Sequence, residues 1–243
     1  MPEPVLQKAD ILVQVDAAGV TGDEILWPEL YETASRIPGH ELSGTISELG
    51  PEYPGPLVSV LDHGKVTPGM RFLVTGAFGA VDRVAVQLAA RLVSGDVVAL
   101  ASPRNHDILR QLGTEEVIDY DSPVWESKVE AVDIVFDTVG GTALKKTWEA
   151  VKEDGLIVTV EDPPPSWAFE NVQPDEAARR PNVRYKYFIV SPNAERLFQA
   201  SDMIDAGLLR PLMVKPFVYE EAESAWAYAR QRGREQKVVI DFR

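Results

Sequence analysis

Apolar and polar positions along this chain follow two rhythms, and one gives way to the other near residue 60. Residues 9–17, ADILVQVDA, alternate apolar and polar side chains, the period of a strand with one wet face. Residues 41–50, ELSGTISELG, return to that period. Between them GVTGDEILWPELYETASRIPGH is punctuated by Gly and Pro and reads as loop. After the loop PEYPGP the character changes over residues 57–64, and KVTPGM leads into the second rhythm.

From Met70 onward, short Val/Ile/Leu-rich runs take turns with helical segments. The pattern predicts strands at RFLVT, DVVALAS, EVIDY, VDIVFDT and GLIVTV. It predicts helices over residues 80–92, 104–112 and 144–152, the second stopped by Gly113. Apolar runs without polar alternation suit parallel strands buried on both faces. Their alternation with helices predicts a doubly wound parallel α/β sheet. Residues 182–190, NVRYKYFIV, read as a further strand in which Tyr and Phe alternate with basic residues, as at a sheet edge. Residues 193–206 are amphipathic and close at Gly207, EEAESAWAYARQR is a helix, and KVVIDF is a last strand.

Composition narrows the class. At 243 residues, 45% hydrophobic and 26% charged, the chain has the makeup of a soluble globular protein with one or two cores. No run is long and apolar enough to span a membrane, and residues 1–10 lack the basic-then-apolar order of a secretory signal. Cysteine is absent, which excludes disulfides and thiolate metal sites and fits a cytoplasmic setting. A net charge of −14 with no Lys/Arg cluster argues against nucleic acid as a partner. The expected partner is a small-molecule substrate or another protein.

The stretch VTGAFGAVDRVAVQLAARL, residues 74–92, carries the clearest chemistry. An apolar strand ends in a tight Gly turn and a helix follows. In dinucleotide-binding turns the second glycine admits the pyrophosphate and the third lets the helix pack on the strand. The helix N-terminal N–H groups then bind the anion. Here Gly76 and Gly79 remain, Ala77 holds the first fingerprint position, and Asp82 holds the third. A side chain there must be accommodated by shifting the helix, at roughly 1–3 kcal/mol. At about 5 Å and an effective dielectric near 20, its carboxylate repels a phosphate charge by roughly 3 kcal/mol. Arg83 is placed to offset part of this. The other reading makes Asp82 a first-turn carboxylate that stabilises the helix by roughly 0.3–1 kcal/mol, supplying the helix with its own anion. Both readings predict weakened cofactor binding. Ser102 and Arg104 follow the second strand, where an NAD enzyme places Asp or Glu, and Arg there suits the 2′-phosphate of NADP.

The stretches AAGVTGDEILWPE, IPGHELSG, VTPGMRFLVTGAFGAV, ALASPRNHDILRQLG, EEVIDYD, VDIVFDTVGG, YFIVSPNAERL, IDAGLLRP and GREQKVVIDF cover most of the chain. In wording and order they resemble the medium-chain dehydrogenase/reductase superfamily, in particular zeta-crystallin-like NADPH quinone oxidoreductases. The resemblance implies a GroES-like catalytic domain from residues 1–60 and 213–243 around a Rossmann domain of residues 61–212. It implies that Tyr120, Thr138 and Gly140 line the rest of the NADPH groove. It implies a homodimer through the edge strand, residues 184–190, with Tyr185, Tyr187 and Ile189 sharing a face and Lys186 and Phe188 supplying ladder donors.

Two departures stand out. The glycine turn is altered. Family members also carry several dozen residues where this chain passes from LSGTISELGPEYPGPL to LDHGKVTPG through VSV alone, which predicts a truncated catalytic domain. GHE at residues 39–41 is similar to the superfamily's zinc-binding branch, but its Cys ligand is missing, so no metal is expected and His40 orders a turn. Asp62 and His63 sit at the shortened joint, either as a helix end before Gly64 or as an acid and base facing the cleft. Glu24, beside Asp23, and His40 are their candidate neighbours. Trp27 and Tyr31, on the loop that borders substrate in relatives, are core packing or a hydrophobic wall. Three functions compete: a non-redox cyclase, isomerase or dehydratase acting on an apolar, polyketide-like substrate of secondary metabolism; an NADPH-dependent enone or quinone oxidoreductase; and a non-catalytic binding protein.

Overall fold

A computed structural model describes residues 11–22, 42–49, 67–92, 96–161, 164–169, 172–188, 194–231 and 235–243. The chain divides into two units, one made of Met1–Gly55 with Arg210–Arg243 and the other of Pro56–Leu209.

The unit made from both chain ends holds strands β1 (Ile11–Val20), β2 (Leu42–Leu49), β9 (Val214–Val218) and β10 (Lys237–Asp241). They lie in the order β2-β1-β10-β9. Beside them, helix α6 (Ala222–Ala229) buries Ala225 and Ala229 with Val20, Val238 and Ile240. The first two pairings are antiparallel and β10–β9 is parallel. The sequence pattern misses β9 because Pro216 interrupts it. As the end strand of the sheet, β9 tolerates a proline that a central strand would not.

The other unit carries β3 (Phe72–Val74), α1 (Ala80–Leu92), β4 (Val97–Leu100), α2 (His106–Leu112), β5 (Glu116–Ile118), β6 (Val132–Asp137) and α3 (Gly141–Ala150). It continues with β7 (Val151–Thr159), α4 (Asp175–Arg179), β8 (Arg184–Tyr187) and α5 (Ala194–Asp205). Its six strands run in the order β5-β4-β3-β6-β7-β8 with every pairing parallel. That order is the doubly wound one, reversing direction between β3 and β6.

Both sheet faces are buried. Leu73, Val98, Val135 and Ile157 pack with Leu144 and Trp148 of α3. Phe72, Val74, Ala99 and Phe136 pack with Val86 and Ala89 of α1 and Leu109 of α2. Two buried faces are why these strands read as unbroken apolar runs. At the amino ends of the strands, Arg71 holds Asp96 and Glu116 at 2.7 Å each, and its N–H donates to Asp133 at 2.7 Å.

Helix α1 occupies the predicted residues. The predicted helix over 104–112 is instead a 3₁₀ turn, Pro103–Asn105, followed by α2, which ends at Gly113 with φ 108°. The predicted helix over 144–152 begins earlier, at Gly141, because the Glu161 carboxylate takes the Gly141 N–H. It ends at Ala150, because Val151 already pairs with Val132 and Lys152 reaches Asp133 at 2.8 Å. Among the described residues no helix is long and apolar enough to cross a membrane.

Candidate functional site

Ligands of open α/β sheets lie beyond the carboxyl ends of the strands where the order reverses. Here that place falls between β3 and β6, and the chain fills it with hydroxyls and carboxylates. Thr75 leaves β3 and donates through Oγ1 to Asp137 Oδ1 at 2.6 Å. Asp137, fully buried at the end of β6, also accepts from Thr159 Oγ1 at 2.8 Å and from the Gly140 N–H at 3.0 Å. The Thr138 N–H donates to Thr75 Oγ1 at 3.1 Å. A buried carboxylate with three such donors is satisfied, and it locks the β3, β6 and β7 ends together.

Asp82 lies in the first turn of α1 and is 5% exposed. Its Oδ1 accepts from Thr138 Oγ1 at 2.7 Å. Its Oδ2 folds over Gly79, occupying the space a side chain at Gly79 would need. The carboxylate therefore fits because Gly79 has none, and the first turn of α1 is kept: the Arg83 N–H donates to Gly79 O at 3.0 Å. Burial pushes the Asp82 carboxyl from 3.8 up to about 7, against the hydrogen bonds of Thr138 and its own N–H and helped by the Asp137 charge. The guanidinium of Arg83 stands 5.0 Å over the Phe78 ring.

Glu161, just beyond β7, places a second carboxylate at a helix start. Its Oε2 accepts the Gly141 N–H at 2.7 Å, at the helix start. Any side chain at Gly140, where φ is 70°, would overlap the Glu161 carboxylate. Burial raises the Glu161 pKa, the Gly141 N–H lowers it, and the Asp137 charge raises it. The chain's own carboxylates thus sit at the N-termini of both helices that flank the reversal point.

Of the predicted cofactor residues, Gly76, Ala77, Gly79, Thr138 and Gly140 meet here. Gly76 adopts φ 58°, and a side chain on it would come within 2.8 Å of Val139. Ala77 is fully buried, its N–H donating to Leu100 O at 3.0 Å. Ser102, half-buried, and Arg104, exposed, follow β4, and Tyr120, 51% exposed, follows β5. The predicted catalytic and substrate residues, Asp62, His63, His40, Glu24, Trp27 and Tyr31, lie outside the described residues. The sequence pattern missed Asp137 and Glu161. Their signal was a carboxylate closing an apolar run, VDIVFD and GLIVTVE.

A family profile described as zinc-binding dehydrogenase matches residues 112–240, more than half of the chain. The NADPH-dependent alkenal/one oxidoreductase of Arabidopsis thaliana chloroplasts is 26% identical over 190 residues, covering 75% of this chain and 44% of that protein. Polyketide synthase GfsB of Streptomyces halstedii is 26% identical over 190 residues, covering 75% of this chain and 3% of that protein. The chain spans about half, or less, of the length of the curated relatives it matches. The structure of a quinone oxidoreductase from Coxiella burnetii aligns over 100% of this chain and 93% of its own, with a TM-score of 0.75 at 22% identity. That likeness supports the fold: a Rossmann-type sheet with a smaller second sheet.

Proposed function

The chain belongs to the zinc-binding dehydrogenase family, within the medium-chain dehydrogenase/reductase superfamily, and on that premise we propose an enzyme of reductase descent that performs a non-redox step. The observation that carries this reading is the Asp82 carboxylate lying in the glycine turn. A dinucleotide brings a diphosphate to the start of α1. There it meets a buried carboxylate on Gly79, a second on the Gly141 N–H, and Asp137 between them. Three carboxyl groups packed into that place do not fit a diphosphate, so the reaction is assigned to side chains alone. Among the described residues no three His, Asp or Glu side chains are grouped to hold a metal ion.

The chemistry proposed is cyclisation, isomerisation or dehydration of an apolar, polyketide-like substrate. The polyketide synthase relative supports the substrate class. The proton transfer is assigned to His63, with Asp62 next to it in the chain. An imidazole titrates near neutral pH and is suited to such transfers.

The test is calorimetric titration with NADPH at pH 7.5. The parent should show no binding below about millimolar, and Asp82→Gly combined with Glu161→Gly should gain affinity at least tenfold. Micromolar binding by the parent, unchanged by the substitutions, overturns the reading. It would favour an NADPH-dependent enone or quinone reductase, the reading that the exposed Arg104 beyond β4 supports.

A further inference from the structure

A cleft of about 550 Å³ opens beside the N-terminus of α3, wholly within the Pro56–Leu209 unit. That volume lies in the range of small-molecule sites. Leu144 and Trp148 of α3 form its floor, and Trp167 forms a wall. The wall is built in advance: the Trp167 ring meets Tyr185 of β8 edge-on at 5.2 Å, and Tyr185 in turn packs on Trp148 at 5.5 Å. The remaining chemistry is acidic. Glu161, Asp175 and Glu176 all line the cleft, against one cation, the exposed Lys145.

We propose that this cleft binds a small organic cation, an amine carried on an aromatic or apolar body, with its ammonium group against Glu161. Glu161 is 8% exposed, and among the described residues its hydrogen-bond partner is the Gly141 N–H; no Lys or Arg pairs with it there. A buried carboxylate without a cation is costly, and an incoming ammonium offsets that cost directly. An anion finds no welcome, since the N–H at the start of α3 is already taken by Glu161 and two further carboxylates stand at the rim. The apolar body lies along Leu144 and Trp148, with Trp167 beside the charge, where a cation over an indole face gains further attraction. The cleft shares Glu161 with the proposed block to a diphosphate, but amine binding is measured without NADPH, so the two readings fail separately.

The experiment uses the full chain and three probes with similar rings: 2-phenylethylamine, 2-phenylethanol and 3-phenylpropionate. Calorimetry at pH 7.5 should give sub-millimolar binding for the amine, at least tenfold weaker binding for the alcohol, and none for the carboxylate. Glu161→Gln should weaken the amine at least tenfold. Asp107→Asn, at an exposed acid on α2 outside the cleft, should leave it unchanged. The chain is strongly acidic, so that control separates a site from general attraction of cations. Equal binding of amine and alcohol, or an unchanged Glu161→Gln, overturns the proposal. Should Glu161→Gln fail to fold by circular dichroism, Asp175→Asn with Glu176→Gln replaces it at the rim. At least threefold weaker amine binding is then expected, and no change overturns the proposal.

Discussion

At the scale of single residues, Asp82 has the clearest consequence. A carboxyl whose pKa rises from 3.8 to about 7 on folding keeps a proton that the unfolded chain has released. Between those values the native state binds more protons, so stability falls as pH rises through the window and stays low above about pH 7. Three pH units correspond to a few kcal/mol, roughly 1.4 per unit. Asparagine has nearly the same shape, keeps an oxygen for the Thr138 hydroxyl and carries no charge. Asp82→Asn should therefore raise the urea midpoint most at pH 8, by less than half as much at pH 5, and little below about pH 4. Equal shifts at both pH values would show that the charge is not what matters. Tolerance of a destabilising carboxylate at this spot is consistent with a site adapted for a purpose other than tight packing.

At the scale of elements, two contacts decide where helices stop. Gly113 closes α2 with φ 108°, and a methyl group there would also approach Ala90 Cβ to 2.8 Å. Gly113→Ala combines left-handed strain with a clash against α1, and a loss of about 2–3 kcal/mol in urea unfolding is expected. The second contact is Arg180, just past α4. Its guanidinium donates to the carbonyls of Trp148 at 2.5 Å and Val151 at 2.7 Å, across the junction where α3 becomes β7. Arg180→Ala leaves both carbonyls short of a charged donor and should cost about 2–3 kcal/mol, with Arg180→Lys losing less. If the alanine variant unfolds at the parent's urea concentration, the junction is held by the strand pairing instead.

For the whole molecule, the open question is assembly. Among the described residues β8 pairs only with β7, which makes it the end strand of the sheet. An end strand invites a second copy, and a two-fold contact closes after one partner. A homodimer is expected, checked by light scattering at tens of micromolar. The donors are not the ones the sequence suggests. The Phe188 N–H donates to Thr159 O at 2.9 Å, so Phe188 and Lys186 face β7. Alternate residues of a strand direct their N–H groups to opposite sides, so Tyr185 directs its N–H away from β7. Tyr185→Pro should give a folded monomer and Tyr185→Phe a dimer. A monomeric parent refutes the proposal.

The order of strands and helices from β3 to β7, the buried parallel sheet and the altered glycine turn were legible along the chain, because each is written in local periodicity or in a residue type at one position. The run FLV at residues 72–74 announces a strand buried on both faces, and Asp82 announces itself by standing where a glycine belongs. How Asp82 is accommodated was not legible. Its partner Thr138 lies 56 residues away, and the space it fills is the missing side chain of Gly79. Likewise, nothing local marks Glu161 as the cap of α3, a helix that begins 20 residues before it, or joins it to Asp175 and the two tryptophans around one cleft. Such pairings arise when parallel strands bring their carboxyl ends side by side, and only the folded sheet does that.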